Sequence, residues 1–109
     1  MSHLDLAQIQ ELKEIMEEGF SDLVSAYLLD SGQKIEALKP AIENQDCSEV
    51  AELAHSVKGA SANVFAEQLA SLCRKLEDAG RANDLTGSPE IYEQVLEEFQ
   101  LVKAELQQL

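Results

Sequence analysis

Apolar residues recur three and four positions apart along nearly the whole chain, the period of an amphipathic helix, and never alternate long enough to suggest a strand. Leu4, Ile9, Leu12 and Met16 form a first short stripe. Asp5 with Gln8 three residues on resembles a capping box at its start, and Gly19 reads as its end. Ser21 is placed to cap a second helix, whose apolar face runs Leu23, Val24, Tyr27, Leu28, Ile35, Leu38 and Ile42. Pro40 lies inside it, where a missing N–H is expected to bend the helix or detach its last turn. Asn44-Gln45 turns the chain, and Asp46 with Glu49 caps a third helix over about 47–63 that buries Val50, Leu53, Val57, Ala60 and Val64. The fourth, over about 66–80, buries Leu69, Leu72, Cys73 and Leu76, with Gly80 as its stop signal. After a loop over 84–87, Ser88 caps a final helix with Pro89 in its first position, and Ile91, Val95, Phe99, Val102, Leu106 and Leu109 follow at near-heptad spacing. Four long amphipathic helices with short connections bury their stripes as an antiparallel, up-down-up-down four-helix bundle, the short N-terminal helix covering one end. The expectation is an all-α fold in a single domain over residues 1–109.

Composition narrows the function classes. The 109 residues are 45% hydrophobic, without the run of about 18 apolar residues that a membrane span needs. The start has neither the basic segment nor the apolar run of a signal peptide, so the expected compartment is the cytoplasm. Two cysteines without a close Cys/His cluster make neither a disulfide framework nor a metal site, and Cys73 falls in an apolar seam. A net charge of −13 excludes attraction to a nucleic-acid backbone or an anionic membrane and suits a soluble monomer. Most of the cations fall between Lys34 and Arg81, so a phosphate or an acidic partner is best tolerated in the middle of the chain. An initial Met and a capped last helix favour the expectation of a free-standing protein over an excised domain.

The candidate chemistry lies in that middle. At about 100° per residue the third helix puts Leu53, Val57 and Val64 almost opposite His55. The imidazole is therefore expected to face outward, with Ala51, Gly59 and Ala62 around it and Lys58 and Glu52 at its flanks. Core histidines do not point this way, and an ordinary surface histidine does not explain the small neighbours. A glycine inside a helix costs about 1 kcal/mol relative to alanine, and Gly59 serves no turn if the stripe runs through it. An exposed, mostly neutral imidazole has a nitrogen lone pair able to attack phosphorus. Lys58, one turn on, is placed to offset phosphoryl charge, and Gly59 leaves room for the group and for the body that delivers it. Ser61 falls toward the inner flank, where its hydroxyl has a structural role.

The span His55-x-x-Lys58-Gly59-x-Ser61, preceded by Ala54 and continuing through Ala66, Leu69, Cys73, Leu76 and Glu77 to Arg81, resembles the histidine-containing phosphotransfer (HPt) domains of multistep phosphorelays. The motif covers about a quarter of the chain, and the helix order agrees over nearly all of it. The resemblance implies a four-helix bundle whose exposed histidine takes a phosphoryl group from a receiver-domain aspartyl phosphate and passes it to the aspartate of another receiver. His55 is then the phospho-acceptor, Lys58 the phosphate-side cation and Gly59 the residue allowing close approach. Glu77 stands where relatives carry a Gln or Glu that orients the imidazole, and Arg81 where a basic residue assists docking. The partner would dock across the third helix at Ala51 and Ala62. Partners implied are receiver domains of a hybrid sensor kinase and of a response regulator. On this reading the chain itself should need no cofactor or metal, Mg2+ coming from the receiver, and should be a carrier without kinase activity. One departure is Phe65, where many relatives have Gly; it is expected to change packing at the turn between helices.

Two other classes compete. A non-phosphorylated helical adaptor would bind a receiver or regulator by shape alone and keep its function without His55. The dimerisation and histidine-phosphorylation domain of a sensor kinase also presents a histidine on a helix, but it expects an acidic residue directly after the histidine, where this chain has Ser56, and an ATP-binding domain downstream.

Overall fold

The computed structural model describes residues 2–109, in which five helices and no strand are found. They are α1 (Leu6–Met16), α2 (Gly19–Glu43), α3 (Cys47–Asn63), α4 (Glu67–Arg81) and α5 (Ser88–Gln107). Helices α2 to α5 form the bundle: each packs on the next in sequence, and α2 closes the ring against α5. The 25 residues of α2, at about 1.5 Å each, span most of the 42 Å long axis. Helix α1 lies against α2 and is tied down from its other end, where the Asp5 N–H donates to the Phe65 carbonyl at 3.0 Å.

The stripes meet as their spacing requires. Ile9, Ile35, Leu38, Val50, Val57, Leu69, Leu76, Val95 and Val102 contribute large side chains that are almost wholly buried. Cys73 sits among them, and burial pushes its thiol up to about 12, so it behaves as a small hydrophobe. Ser61 bonds a neighbouring helix: its hydroxyl lies 2.8 Å from the Tyr27 hydroxyl, both buried, and burial moves the phenol up to about 12. This pair ties α2 to α3 through two buried hydroxyls that satisfy each other.

Helix ends depart from the glycine-based expectations. None of the glycines has positive φ. The left-handed positions are Glu17 (φ 53°), Gln45 (56°), Phe65 (62°) and Asn83 (55°). Three of these close Schellman motifs. Gln45 N–H donates to Ile42 and Asp46 N–H to Ala41; Phe65 to Ala62 and Ala66 to Ser61; Asn83 to Gly80 and Asp84 to Ala79. Thus α1 stops at Met16 through Glu17, and Gly19 opens α2 rather than ending α1. Ser21 lies in the first turn of α2, not at its cap. Pro40 neither breaks nor detaches the helix, which runs on to Glu43; coming one turn before the end, it forfeits a single bond. Ser88 is the first residue of α5 and Gly87 its N-cap. The Asp5 and Asp46 caps form as read, with side chains accepting from the Gln8 and Glu49 N–H groups.

Phe65 occupies the left-handed position that closes α3, which supplies the physical reason a glycine suits that site: a β-carbon there costs roughly 1 kcal/mol. In return, its half-buried ring packs on the core.

Gly80, read as a stop, lies inside α4 at its closest approach to α3. A β-carbon there would sit 2.6 Å from the Cys47 carbonyl oxygen and 2.9 Å from the Ala51 nitrogen. Gly59 is the opposite case, with nothing within 4 Å of the same construction. Gly80→Ala is therefore expected to force the two backbones apart and lower stability by about 1–3 kcal/mol, outweighing its helix-propensity gain, whereas Gly59→Ala should raise stability by about 0.5–1 kcal/mol. Urea unfolding of the two variants checks both signs at once.

Candidate functional site

Because Gly80 lets α3 and α4 approach closely, side chains on their facing flanks reach one another. His55 and Lys58 come from α3, one turn apart, and Glu77 and Arg81 from α4, likewise. The His55 side chain is 62% exposed, as its place opposite Val57 requires, while that of Glu77 is only 5% exposed. Glu77 follows Leu76 and stands four residues after Cys73, so the geometry of α4 sets a carboxylate on the edge of the buried stripe.

A carboxylate so placed must be paired. Oε1 of Glu77 accepts a hydrogen bond from Lys58 Nζ at 2.6 Å. Oε2 accepts from Arg81 Nη2 at 2.6 Å and Nε at 3.0 Å, and lies 2.9 Å from His55 Nδ1. The Lys58 bond does most to hold the Glu77 carboxyl down at about 2; burial opposes it, and the Arg81 and His55 bonds and the Lys58 charge reinforce it. Glu77 is thus ionised at neutral pH and can only accept, so Nδ1 must carry the proton and donate it. The lone pair of the neutral ring is left on Nε2, which makes no hydrogen bond to any described residue. The site presents one exposed nucleophilic nitrogen in a fixed tautomer, beside two cations held in place by the same carboxylate.

The other residues singled out by the sequence fall as follows. Gly59 is exposed and open above. Ala62 is exposed two turns from His55. Ala51 is not on the rim: it is 9% exposed and forms, with Gly80, the floor of a cleft beside His55 whose walls include Glu52, Arg81 and Asn83. Its position four residues before His55 turns it toward α4, and the bare backbone of Gly80 comes down on it. Lys58, one turn from His55, has its ammonium paired with Glu77 Oε1. The residues alone gave no reason to single out Glu77. The available signal was a charged position four residues after Cys73, followed four residues later by Arg81, an i,i+4 ion pair beginning on an apolar stripe. Also unread was Lys34 of α2, whose Nζ donates to Ser56 Oγ at 2.6 Å and pairs with Asp30, bracing the far flank of the His55 turn.

The family model described as the Hpt domain matches residues 22–109, which include all of α3 to α5 and the whole of this cluster. The chain belongs to the Hpt domain family. It is similar to histidine-containing phosphotransfer protein 2 of Arabidopsis thaliana, with 28% identity over 94% of this chain and 70% of that protein. Its fold is similar to the crystal structure of histidine-containing phosphotransfer protein B (HptB) from Pseudomonas aeruginosa PAO1, with a TM-score of 0.92 and 34% identity over 97% of this chain and 92% of that one. An Hpt bundle is therefore the setting of the His55 cluster, and histidine phosphotransfer in a phosphorelay is the family's role. No helix is long and apolar enough to cross a membrane among the described residues.

The carboxylate hub has a pH signature. The Glu77 carboxyl lies at about 2 against an ordinary 4.5, so the stability it contributes is complete above pH about 4.5 and is lost as pH falls toward about 2. Glu77→Gln lacks this contribution at every pH. Urea unfolding should accordingly show wild type more stable than Glu77→Gln above pH about 5, with the gap closing toward pH about 2. A gap independent of pH would mean that Glu77 does not act as an ionised partner.

Proposed function

We propose that this Hpt domain is a phosphorelay intermediate in which Nε2 of His55 accepts a phosphoryl group from a receiver-domain aspartyl phosphate and passes it to the aspartate of a second receiver. The observation that carries this reading is the exposed Nε2 of a ring whose Nδ1 is committed to a buried, ionised carboxylate. Attack on phosphorus needs a lone pair, outward orientation and clearance, and His55 has all three.

The two receivers belong to a hybrid sensor kinase upstream and a response regulator downstream, and the chain works between them as a cytoplasmic monomer. Each receiver supplies Mg2+ and most of the groups that stabilise the transferring phosphoryl, so the Hpt chain contributes mainly position and charge. Lys58 is one turn from His55, close enough for its ammonium to exchange Glu77 Oε1 for a phosphoryl oxygen when the group arrives. Gly59 leaves the approach open, and exposed Ala62 extends the smooth surface on which a receiver rests.

Incubation with a phosphorylated receiver, followed by detection of acid-labile phosphate, tests the assignment. Wild type should take up label and His55→Gln none; label on His55→Gln would overturn it. Lys58→Ala should slow transfer by roughly 10- to 100-fold, the worth of one charge-assisted hydrogen bond in the transition state. Gly59→Gln should impair transfer while leaving the circular dichroism of the bundle unchanged.

A further inference from the structure

Resting on that function, we infer that the receiver's footprint continues from His55 onto α2, where Lys34 is a specificity-determining cation: it pairs with a carboxylate of the docked receiver and takes no part in the chemistry at Nε2.

The argument starts from where Lys34 is held. Its Nζ donates to Ser56 Oγ at 2.6 Å, across the seam between α2 and α3, and to Asp30 Oδ2 at 2.9 Å, one turn back along α2. Ser56 directly follows His55. At about 100° per residue it lies on the α2 side of the ring, whereas Lys58 lies about 60° round on the α4 side. His55 thus has cations on both flanks, Lys58 and Arg81 toward α4 and Lys34 toward α2. Gly59 keeps the strip between them low, and exposed Ala37, one turn along α2 from Lys34, keeps the α2 surface low as well.

The two flanks differ in what their cations can be exchanged for. Lys58 and Arg81 neutralise Glu77, whose 5% exposed side chain would be a stranded charge without them. Asp30 is 59% exposed, so water can replace Lys34 beside it, and a surface pair four residues apart on one helix is weakly held. An ammonium carries three N–H donors. Asp30 and Ser56 take two, and the third has no acceptor among the described residues. Ser56, a neutral acceptor, fixes the end of a flexible four-carbon stem without cancelling its charge, so much of the ordering that an ion pair with a partner requires is already done. On a chain of net charge −13 most of the surface repels a carboxylate, and a tethered, exchangeable cation beside the reacting ring selects the receiver that presents one there.

The test separates docking from chemistry. Receiver domains encoded in the same genome are phosphorylated with acetyl phosphate, desalted and mixed with increasing concentrations of the chain, so that transfer rates give KM and kcat. Lys34→Gln should raise KM about threefold or more, with kcat within about twofold, and should flatten the salt dependence of transfer. Asp30→Asn should lower KM, because the competing carboxylate is gone, and should change nothing in a chain that already carries Lys34→Gln. Lys103→Gln and Glu36→Gln make the same two charge changes in the groove between α2 and α5 and should leave KM unaltered. Phosphoramidate, which needs no receiver, should label His55 of Lys34→Gln at the wild-type rate. Equal KM values in Lys34→Gln and Lys103→Gln overturn the inference. So does a phosphoramidate rate that falls with the receiver rate, which would make Lys34 only a brace of the His55 turn, and so does a gain from Asp30→Asn that persists without Lys34. A wild type that takes label from phosphoramidate but from none of the receivers overturns the proposed function and this inference with it, a result distinct from transfer that proceeds with KM unchanged.

Discussion

A carboxylate that is 5% exposed at the seam of two helices has to be neutralised by whatever surrounds it, and that requirement organises this end of the bundle. Glu77 draws Lys58 across from α3, folds Arg81 back along α4 and captures one nitrogen of His55. Each of those side chains is long or rotatable enough to point elsewhere on an isolated helix. The His55 ring is thus oriented by an electrostatic demand originating in the neighbouring helix, while the sequence around it supplies its exposure and clearance. Removing one donor leaves the others in place but weakens the hold on the carboxylate, so the members of the cluster are coupled, not additive.

The seam exists because Gly80 allows it. With the Cys47 carbonyl and the Ala51 nitrogen inside van der Waals distance of where a β-carbon would stand, α3 and α4 approach more closely there than two ordinary helices do. Glu77 lies three residues before Gly80 on the adjoining flank, near enough to the axis of contact to be buried and far enough for its oxygens to meet side chains from α3. The two inner glycines of the cluster thus do opposite work: Gly80 brings backbones together, and Gly59 keeps a surface low.

Most of the fold was legible in the spacing of apolar residues. The stripes of α2 to α5 name most of the large aliphatic side chains that prove to be buried but miss Phe20 and Tyr92, while Leu23, Leu53 and Ile91 are only partly buried; the bounds of α3 follow from Asp46 and the run to Val64. Helix ends were less legible because glycine is the usual left-handed terminator, and this chain uses Glu17, Gln45, Phe65 and Asn83 instead. At the last three of those positions the Schellman bonds and neighbouring packing offset a backbone cost that propensity alone assigns to a glycine. The site divides the same way. His55, Gly59 and Ala62 could be placed from one helix's own geometry. The burial of Ala51, the pairing of Lys58 and the centrality of Glu77 depend on how a second helix lies against the first, which no single-helix projection contains.

A comparison within the chain shows what distinguishes the site from a generic His–carboxylate pair. His3 lies with its Nδ1 2.8 and 3.0 Å from the two oxygens of Glu98, a carboxylate also 5% exposed. Its backbone N–H donates to Glu105 at 2.8 Å, and Ser2 Oγ bonds the same carboxylate at 2.7 Å, so this second pair works as a strap fastening the N-terminal segment to α5. Two features separate it from His55. The His3 side chain is 25% exposed against 62%, which leaves little solid angle for a reacting body. Among the described residues Glu98 has no lysine or arginine partner, so no cation stands ready beside His3 for an incoming phosphoryl, whereas Glu77 holds two. A buried carboxylate can fix a ring in either place. What suits one ring to the proposed nucleophilic role and the other to fastening is the exposure left over and the positive charge that the same carboxylate has gathered around it.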